Sequence, residues 1–297
     1  MPTTTLRAQL EKDGFVVLRS ILPETQLQEL RAAAERTTKL ATAGTWPHVR
    51  TVGKQFPPWT WAPGVGIWGV QHLLNPALPD AGTFAASYFG DAILDVAKEL
   101  LGPSSCCSDD ELVMELYNLL VRPSDGADFE LRWHRDDIPD TATAAEEQRR
   151  LLDEPAWHAQ WNLALCDGDE SLVVVPGSHA RPRTETERGA DPFERDMPDQ
   201  LVVKLNAGDV VFYNNNILHR GRYDGSRERL SLHGSVGHVA GGRLRARNVL
   251  QHGLGSWVDD CDFSGLNEKE KARAEGMRAR LVKLGRESGE VGYSLTG

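Results

Sequence analysis

The chain of 297 residues contains little cysteine and no long apolar segment. Its four cysteines are too few for a disulfide framework, and none of them forms a C-x-x-C pair. No stretch approaches the roughly 18 uninterrupted apolar residues of a membrane-spanning helix, and the N-terminal residues lack the apolar core of a signal peptide. These absences predict a protein of the reducing cytoplasm that has no membrane partner.

Positive charge is also scarce. The sequence has 33 lysines and arginines against 43 acidic residues, which gives a formal net charge of −10. Nucleic-acid-binding proteins usually concentrate basic residues on one surface, so we expect no nucleic-acid partner. The 40% hydrophobic content is ordinary for a globular protein and allows a sizeable core. The sequence leaves the oligomeric state open, a homo-oligomer included.

The secondary-structure pattern changes along the chain, from helices near the N-terminus to strands separated by turns. We predict helices at 5–12, 23–40, 91–102, 144–153 and 267–284. We predict strands at 15–22, 111–123, 129–134, 157–166, 171–176, 201–205, 209–215 and 227–236. Between 42 and 82 the sequence is rich in glycine, proline and tryptophan and indicates a long loop region. Strands at short spacing favour an antiparallel sandwich or barrel in one domain.

A candidate metal site begins in the segment RWHRDDIP at 132–139. In a strand, residues i and i+2 project to the same side, so His134 and Asp136 present an imidazole and a carboxylate together. His219, far along the chain, offers a second imidazole. Two histidines and one carboxylate on one face of a metal form the arrangement of non-haem Fe(II) oxygenases. Two alternatives stay open: the histidines are ordinary polar side chains, or Asp137 is the ligand in place of Asp136.

Three further segments surround this motif in a recognisable order. They are DGFVVLRSILPETQLQELR near the N-terminus, VVVPGSH ending at residue 179, and AGDVVFYNNNILHRG around His219. Together with H-x-D, they resemble the phytanoyl-CoA dioxygenase family of Fe(II)/2-oxoglutarate oxygenases. The resemblance extends from the first segment to about residue 236. One departure is Glu170-Ser171, which stands where the family usually has glycines.

The resemblance implies a mainly β (α+β) fold, a double-stranded β-helix or jelly-roll barrel with flanking helices. The whole chain would form one dioxygenase domain, with a helical and loop cover over 1–105, the β-helix core over 106–255 and a helical extension over 256–297. It also implies Fe(II) as the metal, with 2-oxoglutarate and O₂ as co-substrates. His134, Asp136 and His219 would be the catalytic metal ligands.

The family binds the far carboxylate of 2-oxoglutarate with an arginine that follows the distal histidine. A guanidinium suits this task because it is planar and always charged. Arg229 is our preferred candidate, and Arg227, which shares its strand parity, is the alternative. Ser231 and Tyr117 are further candidates for contact with the co-substrate.

The substrate site is the least defined part of the prediction. In this fold the N-terminal region usually covers the barrel mouth, so Trp68, Gln71 and His72 are candidate substrate contacts, with core packing as the alternative. Trp161 is a further candidate, although alternation does not say whether Trp161 or Asn162 points inward.

We expect oxidation, mainly hydroxylation, of a small organic molecule with release of succinate and CO₂. Halogenation is disfavoured, because Asp136 fills the position that a halide would need. The alternatives are a cupin-type barrel enzyme with another metal and a non-catalytic binding protein on the same fold.

Overall fold

The computed structural model describes residues 5–101, 106–153 and 158–289. Its helices are α1 Leu6–Asp13, α2 Glu24–Thr42, α3 Ala81–Phe89, α4 Asp91–Leu101, α5 Ala144–Gln148, α6 Glu185–Gly189, α7 Gly242–Gln251 and α8 Glu268–Glu287. Its strands are β1 Phe15–Leu18, β2 Val49–Thr51, β3 Ile67–Val70, β4 Leu112–Val121, β5 Phe129–Glu130, β6 His158–Ala164, β7 Leu172–Val174, β8 Leu201–Val202, β9 Val210–Tyr213, β10 His219–Tyr223 and β11 Leu230–His238. None of these helices is long and apolar enough to cross a membrane.

The strands form two antiparallel sheets. The larger has seven strands in the order β1-β9-β6-β11-β4-β3-β2, and the smaller has four in the order β5-β10-β7-β8. Side chains from both sheets line one cavity between them. In both sheets, strands that are neighbours in space are often far apart in sequence. Two antiparallel sheets of this kind that enclose a cavity form the jelly-roll arrangement. The predicted fold class is therefore confirmed.

The helices cover one face of the seven-stranded sheet. Alternate residues of β6, β9 and β11, among them Trp161, Phe212 and Leu232, share one buried cluster with Tyr88 of α3 and Leu94 of α4. Burying a large apolar side chain contributes about 1.5–3 kcal/mol. This layer fixes the sheet, so the intervening residues, which point the other way, are held facing the cavity.

Helix α1 is capped by Gly14, whose φ of 81° is the left-handed conformation that terminates helices. Several other elements differ from the predicted ones. The region predicted as a loop contributes β2 and β3, and these strands extend the sheet next to β4. Helices α3, α6 and α7 and strand β10 were not predicted. Residue 102, the predicted end of α4, and residue 157, the predicted start of β6, lie outside the described residues.

Candidate metal centre

The two candidate histidine ligands lie directly opposite each other across an antiparallel bridge. The backbone N–H of His134 donates to the carbonyl of His219 at 3.0 Å, and the reverse bond is 3.1 Å. Opposed residues of an antiparallel pair project to the same side, and the two imidazole centroids are 4.3 Å apart. Backbone pairing thus brings together two residues that are distant in sequence.

The orientation of each imidazole is fixed by a hydrogen bond to the carbonyl group two residues earlier in the chain. His134 Nδ1 lies 2.7 Å from the carbonyl oxygen of Arg132, and His219 Nδ1 lies 2.9 Å from that of Ile217. A carbonyl oxygen only accepts, so each Nδ1 carries the proton and donates. The lone pair of the neutral ring then belongs to Nε2, the atom that each ring turns toward Asp136. This is the tautomer that a metal-binding histidine needs.

Asp136 completes the cluster. Its Oδ1 lies 3.4 Å from His134 Nε2 and 3.7 Å from His219 Nε2. Its other oxygen, Oδ2, accepts a hydrogen bond of 2.9 Å from Gln160 Nε2. One donor atom from each of the three residues lies within 4.8 Å of the others. The arrangement offers two nitrogens and one oxygen to a single cation.

The protonation states also suit a cation. Burial opposes ionisation of Asp136, but attraction to His219 and His134 and the hydrogen bond from Gln160 outweigh it and hold the carboxyl pKa well below its ordinary value. Burial, aided by repulsion from His134, lowers the pKa of His219 to about 4. Near neutral pH the site therefore presents a carboxylate and a neutral His219 imidazole, the forms that bind metals.

The neighbouring carboxylate of Asp137 is engaged elsewhere. It accepts a hydrogen bond from the side-chain amide of Asn215, and its Oδ1 lies 4.0 Å from Arg245 Nη1. The three-residue cluster contains Asp136 and not Asp137. The structure therefore favours the first of the two carboxylates weighed from the sequence.

The three donors lie on the wall of the cavity between the sheets, whose volume is about 470 Å³. That volume is in the range of small-molecule sites. Four arginines besides Arg229 line it: Arg50, Arg135, Arg150 and Arg245.

Arg229 and Arg227 occupy different environments. Arg229 is buried on the cavity wall, with its guanidinium carbon 4.1 Å from the ring centroid of Tyr223 and its Nε 3.7 Å from Asp169. Its Nε and Nη1 are buried without a hydrogen-bond partner. Arg227 has a side chain 51% exposed and reaches Glu170 at 3.3 Å. A buried guanidinium with unused donors, sharing a cavity with metal ligands, suits a dicarboxylate.

Ser231 lies next to this arginine but does not line the cavity. Its hydroxyl is fully buried and donates to the carboxylate of Asp169, the same group that faces Arg229. The expected contact between Ser231 and a co-substrate is therefore replaced by an indirect one, through the acid that orients Arg229.

Tyr117 and Trp161 point away from the cavity, so the sequence expectation is wrong for both. The Tyr117 hydroxyl donates to Ser87 of α3 at 2.7 Å, and the Trp161 ring packs 5.6 Å from that of Tyr88. Both belong to the cluster under the helices. Strand alternation places their sequence neighbours, Leu116 and Asn162 among them, on the cavity wall instead.

The three candidates from the loop region, Trp68, Gln71 and His72, differ in whether they line the cavity. Trp68 lines the cavity, and its Nε1 donates to the carbonyl of Thr51 at 2.9 Å. His72 lies behind the wall, where its Nε2 donates to the carbonyl of His252 at 3.0 Å. Gln71 does not line the cavity; its backbone N–H donates to His48. The expected substrate contacts of Gln71 and His72 are therefore not formed.

Sequence reasoning did not single out Gln160 and Tyr213, which also line the cavity. Both lie on predicted strands and face each other in the pairing of β6 with β9. Alternation would have identified them only if the inward face of β6 had been known. His233 also lines the cavity, and its Nδ1 lies 2.8 Å from Asn162 Oδ1.

Solved structures share this fold. AviO1 from Streptomyces viridochromogenes Tue57 is 18% identical, with 78% of this chain and 93% of that chain covered and a TM-score of 0.56. EctD from S. alaskensis, solved with 2-oxoglutarate and 5-hydroxyectoine, is 20% identical over 80% and 76%, with a TM-score of 0.54. SnoN, a non-heme α-ketoglutarate-dependent epimerase of nogalamycin biosynthesis, is 19% identical over 78% and 82%, with a TM-score of 0.51.

No curated protein sequence matches the chain. The model of the phytanoyl-CoA dioxygenase family, however, matches residues 10–228, well over half of the chain. The matched range contains both histidines and the carboxylate of the metal cluster. It also contains the segments on which the sequence resemblance rests. The protein therefore belongs to the phytanoyl-CoA dioxygenase family, whose members are oxygenases that depend on Fe(II) and 2-oxoglutarate.

Proposed function

We propose that this oxygenase hydroxylates a small organic molecule while 2-oxoglutarate is converted to succinate and CO₂. In this proposal His134, Asp136 and His219 hold Fe(II), and Arg229 binds the far carboxylate of 2-oxoglutarate. The observation that carries it is one cavity whose wall contains both the three metal donors and a buried guanidinium with unused donors.

The donor set fits iron. Two imidazole nitrogens and one carboxylate oxygen on one side leave the other coordination positions open for 2-oxoglutarate and O₂. Bound Fe(II), with these co-substrates, supplies the oxidising power to replace a substrate C–H bond by C–OH. Because Asp136 fills the carboxylate position, no protein ligand is missing where a halide would bind. Hydroxylation or desaturation is therefore favoured over halogenation.

Arg229 fits the dicarboxylate. Its Nη1 is buried without a hydrogen-bond partner, and a guanidinium donates strong charge-assisted bonds to a carboxylate. The ring of Tyr223 lies against the guanidinium, and Asp169, held by Ser231, faces its Nε. These contacts hold the guanidinium in place before the co-substrate arrives, which reduces the entropy lost on binding.

The cytoplasm is the compartment that we propose for this activity. All four cysteines are free thiols, as expected in a reducing environment. The formal net charge of −10 further supports a small molecule, and not a nucleic acid, as the partner.

The test of the reaction class is succinate formation. Protein purified without oxygen is mixed with Fe(II), ascorbate and 2-oxoglutarate and then exposed to air, with and without candidate substrates. We expect slow succinate release that His134→Ala abolishes. Turnover that survives in His134→Ala would contradict the metal assignment, and an inactive native protein that shows no thermal shift with metal and 2-oxoglutarate would contradict the reaction class.

The two arginines provide a matched pair of variants. We expect Arg229→Ala to raise the 2-oxoglutarate KM about 100-fold, because a bidentate charge-assisted contact is lost. Arg227→Ala removes the same charge from the exposed surface two residues earlier and should leave the KM within about twofold, since surface ion pairs contribute little. A larger rise in the 2-oxoglutarate KM for Arg227→Ala than for Arg229→Ala would instead assign co-substrate binding to Arg227.

A further inference from the structure

A second guanidinium on the cavity wall lies between two aromatic rings. The guanidinium carbon of Arg50, on β2, is 5.5 Å from the ring centroid of Trp59 and 5.1 Å from that of Trp68. All three residues line the cavity. Tryptophan is the best aromatic partner for a cation, and stacking on the ring faces leaves the in-plane N–H groups directed sideways. Contacts of this kind hold a guanidinium in one plane.

The strand pairing makes room for this arrangement. Arg50 is paired with Gly69 across β2 and β3. A Cβ at residue 69 would lie 3.1 Å from the Arg50 Cδ and 3.1 Å from the carbonyl oxygen of Leu119, which is tighter than ordinary contact. The absent side chain of Gly69 thus lets Arg50 cross over its partner strand toward the cavity. The preceding residue, Trp68, is held by hydrogen bonds from Nε1 to the carbonyls of Thr51 and Lys54.

Three other arginines of the cavity wall lie close to acidic side chains. Arg245 forms two hydrogen bonds with Glu115, at 2.9 and 2.6 Å. Arg135 donates to backbone carbonyls and lies 3.5 Å from Glu147. The third is Arg229, to which we assign the co-substrate. Arg50 is distinguished by its two indole neighbours.

Two histidines on the same cavity wall add no positive charge beside Arg50 near neutral pH. Burial first and the charge of Arg50 next lower the pKa of His233 to about 3. Burial, with the charges of Arg245 and Arg50, lowers the pKa of His252 to about 4. These two histidines are therefore neutral. An anion that enters this partly dehydrated cavity is attracted to a guanidinium more strongly than it would be in water.

We propose that the substrate carries a carboxylate and that Arg50, stacked between Trp59 and Trp68, binds it. The inference rests on the proposed function and names the substrate class for the same cavity. Apolar side chains of Leu116, Leu120 and Leu131 also line the cavity and suit the carbon skeleton of such an acid.

His233 indicates how the acid is oriented. His233 lines the same cavity wall as Arg50 and the metal ligand Asp136. Binding the acid group at Arg50 would hold one end of the molecule away from the metal and present a C–H bond of the remaining skeleton to it. Positioning of this kind is the contribution that a remote binding contact makes to a reaction.

The experiment compares acids with their amides on protein loaded without oxygen with Fe(II) and 2-oxoglutarate. The probes are phenylacetate against phenylacetamide and hexanoate against hexanamide, and the readout is the change that each causes in the absorption band of the Fe(II)–2-oxoglutarate complex. Native protein should bind each acid about tenfold or more tightly than its amide. Arg50→Gln should reduce that preference to about twofold or less, and Arg50→Lys should keep part of it.

Arg195→Gln is the matched control, because it removes a positive charge whose side chain is 79% exposed, and it should keep the native preference. Equal affinity for acids and amides in native protein, or no binding of either, would overturn the carboxylate proposal while the band itself upholds the reaction class. Absence of the band in native protein would instead overturn the proposed function. An acid preference that survives in Arg50→Gln, with normal thermal unfolding, would overturn the assignment to Arg50.

Discussion

The two faces of the seven-stranded sheet are built from the same strands but have opposite chemistry. On β6 the cavity face presents Gln160 and Asn162, whereas the helix face presents Trp161 and Leu163. The same alternation separates His233 from Leu232 on β11. One residue of register thus decides whether a side chain belongs to the site or to the core.

The difference teaches that the helix face is responsible for stability and the cavity face for binding. Side chains under the helices are large, apolar and fully buried, so truncating them leaves voids. Side chains on the cavity face form a few directed hydrogen bonds, so truncating them should cost little stability and much function. The following experiments test this division, from the largest expected effect to the smallest.

Trp161→Ala should show the largest loss of stability. The ring is fully buried between β6 and α3, and removing it should lower the free energy of unfolding by about 3–5 kcal/mol in denaturant titrations. Asn162→Ala, one residue further and on the cavity face, is the control and should cost about 1 kcal/mol. Similar losses for the two variants would contradict the division of the faces.

Glu115→Gln tests a charged residue with the strand parity of Tyr117. The carboxylate of Glu115 is buried and pairs with Arg245, which is 21% exposed, so leaving the arginine without its acid should cost about 3 kcal/mol, the lower end for buried pairs. Burial raises the pKa of the Glu115 carboxyl group, but Arg245 and the other groups around the carboxylate together lower it by more, so the net shift is downward.

The sign of the pH effect follows from that shift. Because the pKa of Glu115 is lower in the folded state, its ionisation stabilises the protein. The full contribution is present at pH values above the unfolded-state pKa of about 4.5, and it is lost as the pH falls through the folded-state pKa. The difference in unfolding free energy between native protein and Glu115→Gln should therefore shrink on acidification below pH 4.5 or so. A difference that is constant across the acid range would show that the Glu115 ionisation is not linked to folding.

Gln160→Leu tests the cavity face. The Gln160 amide holds Asp136 Oδ2, and removing it frees the carboxylate to turn away from the two imidazoles. We expect Fe(II) affinity to fall about 10- to 100-fold with little change in thermal unfolding. Asn162→Leu, which alters the same face without touching Asp136, should retain more of the affinity. Unchanged iron binding in Gln160→Leu would leave the Asp136 contact without a functional role.

Tyr117→Phe should have the smallest effect. It removes one buried hydroxyl that donates to Ser87, so we expect a loss of about 1 kcal/mol in unfolding free energy. Because Tyr117 faces the helices, the 2-oxoglutarate KM should stay the same. A raised KM at native-like stability would return Tyr117 to the co-substrate site.

How far the sequence predicts the site depends on where the information lies. His134 and Asp136 were identifiable because the H-x-D motif is local, although the predicted strand over 129–134 is shorter in the structure: His134 forms an isolated bridge and Asp136 lies in a bend. Their pairing with His219 depends on β10, whose sequence HRGRY has no apolar alternation; it forms a strand because β7 and β5 pair with it. The metal cluster was therefore predicted from the H-x-D motif and from the order of the family's segments along the chain. The strand that carries its distal ligand, His219, did not contribute to the prediction.

The errors have the same origin. Trp161 and Tyr117 were expected at the cavity because the inward face of a strand cannot be read without its register. Parity likewise failed to separate Arg227 from Arg229, because it applies only within a strand and both residues precede β11, Arg227 in a bend. Helix α7 begins in a run of glycines, so its amphipathic pattern carries little weight in the sequence.

The bonds from Nδ1 of His134 and His219 to carbonyls two residues earlier in the chain have one more consequence. Because the backbone orients both imidazoles, any divalent ion of suitable size would meet the same three ligands. Affinities of nitrogen and oxygen sites generally rise from manganese through iron to copper. Ligand type, geometry and metal supply together decide which ion is bound, so we expect protein made in cells rich in a competing ion to carry part of that ion.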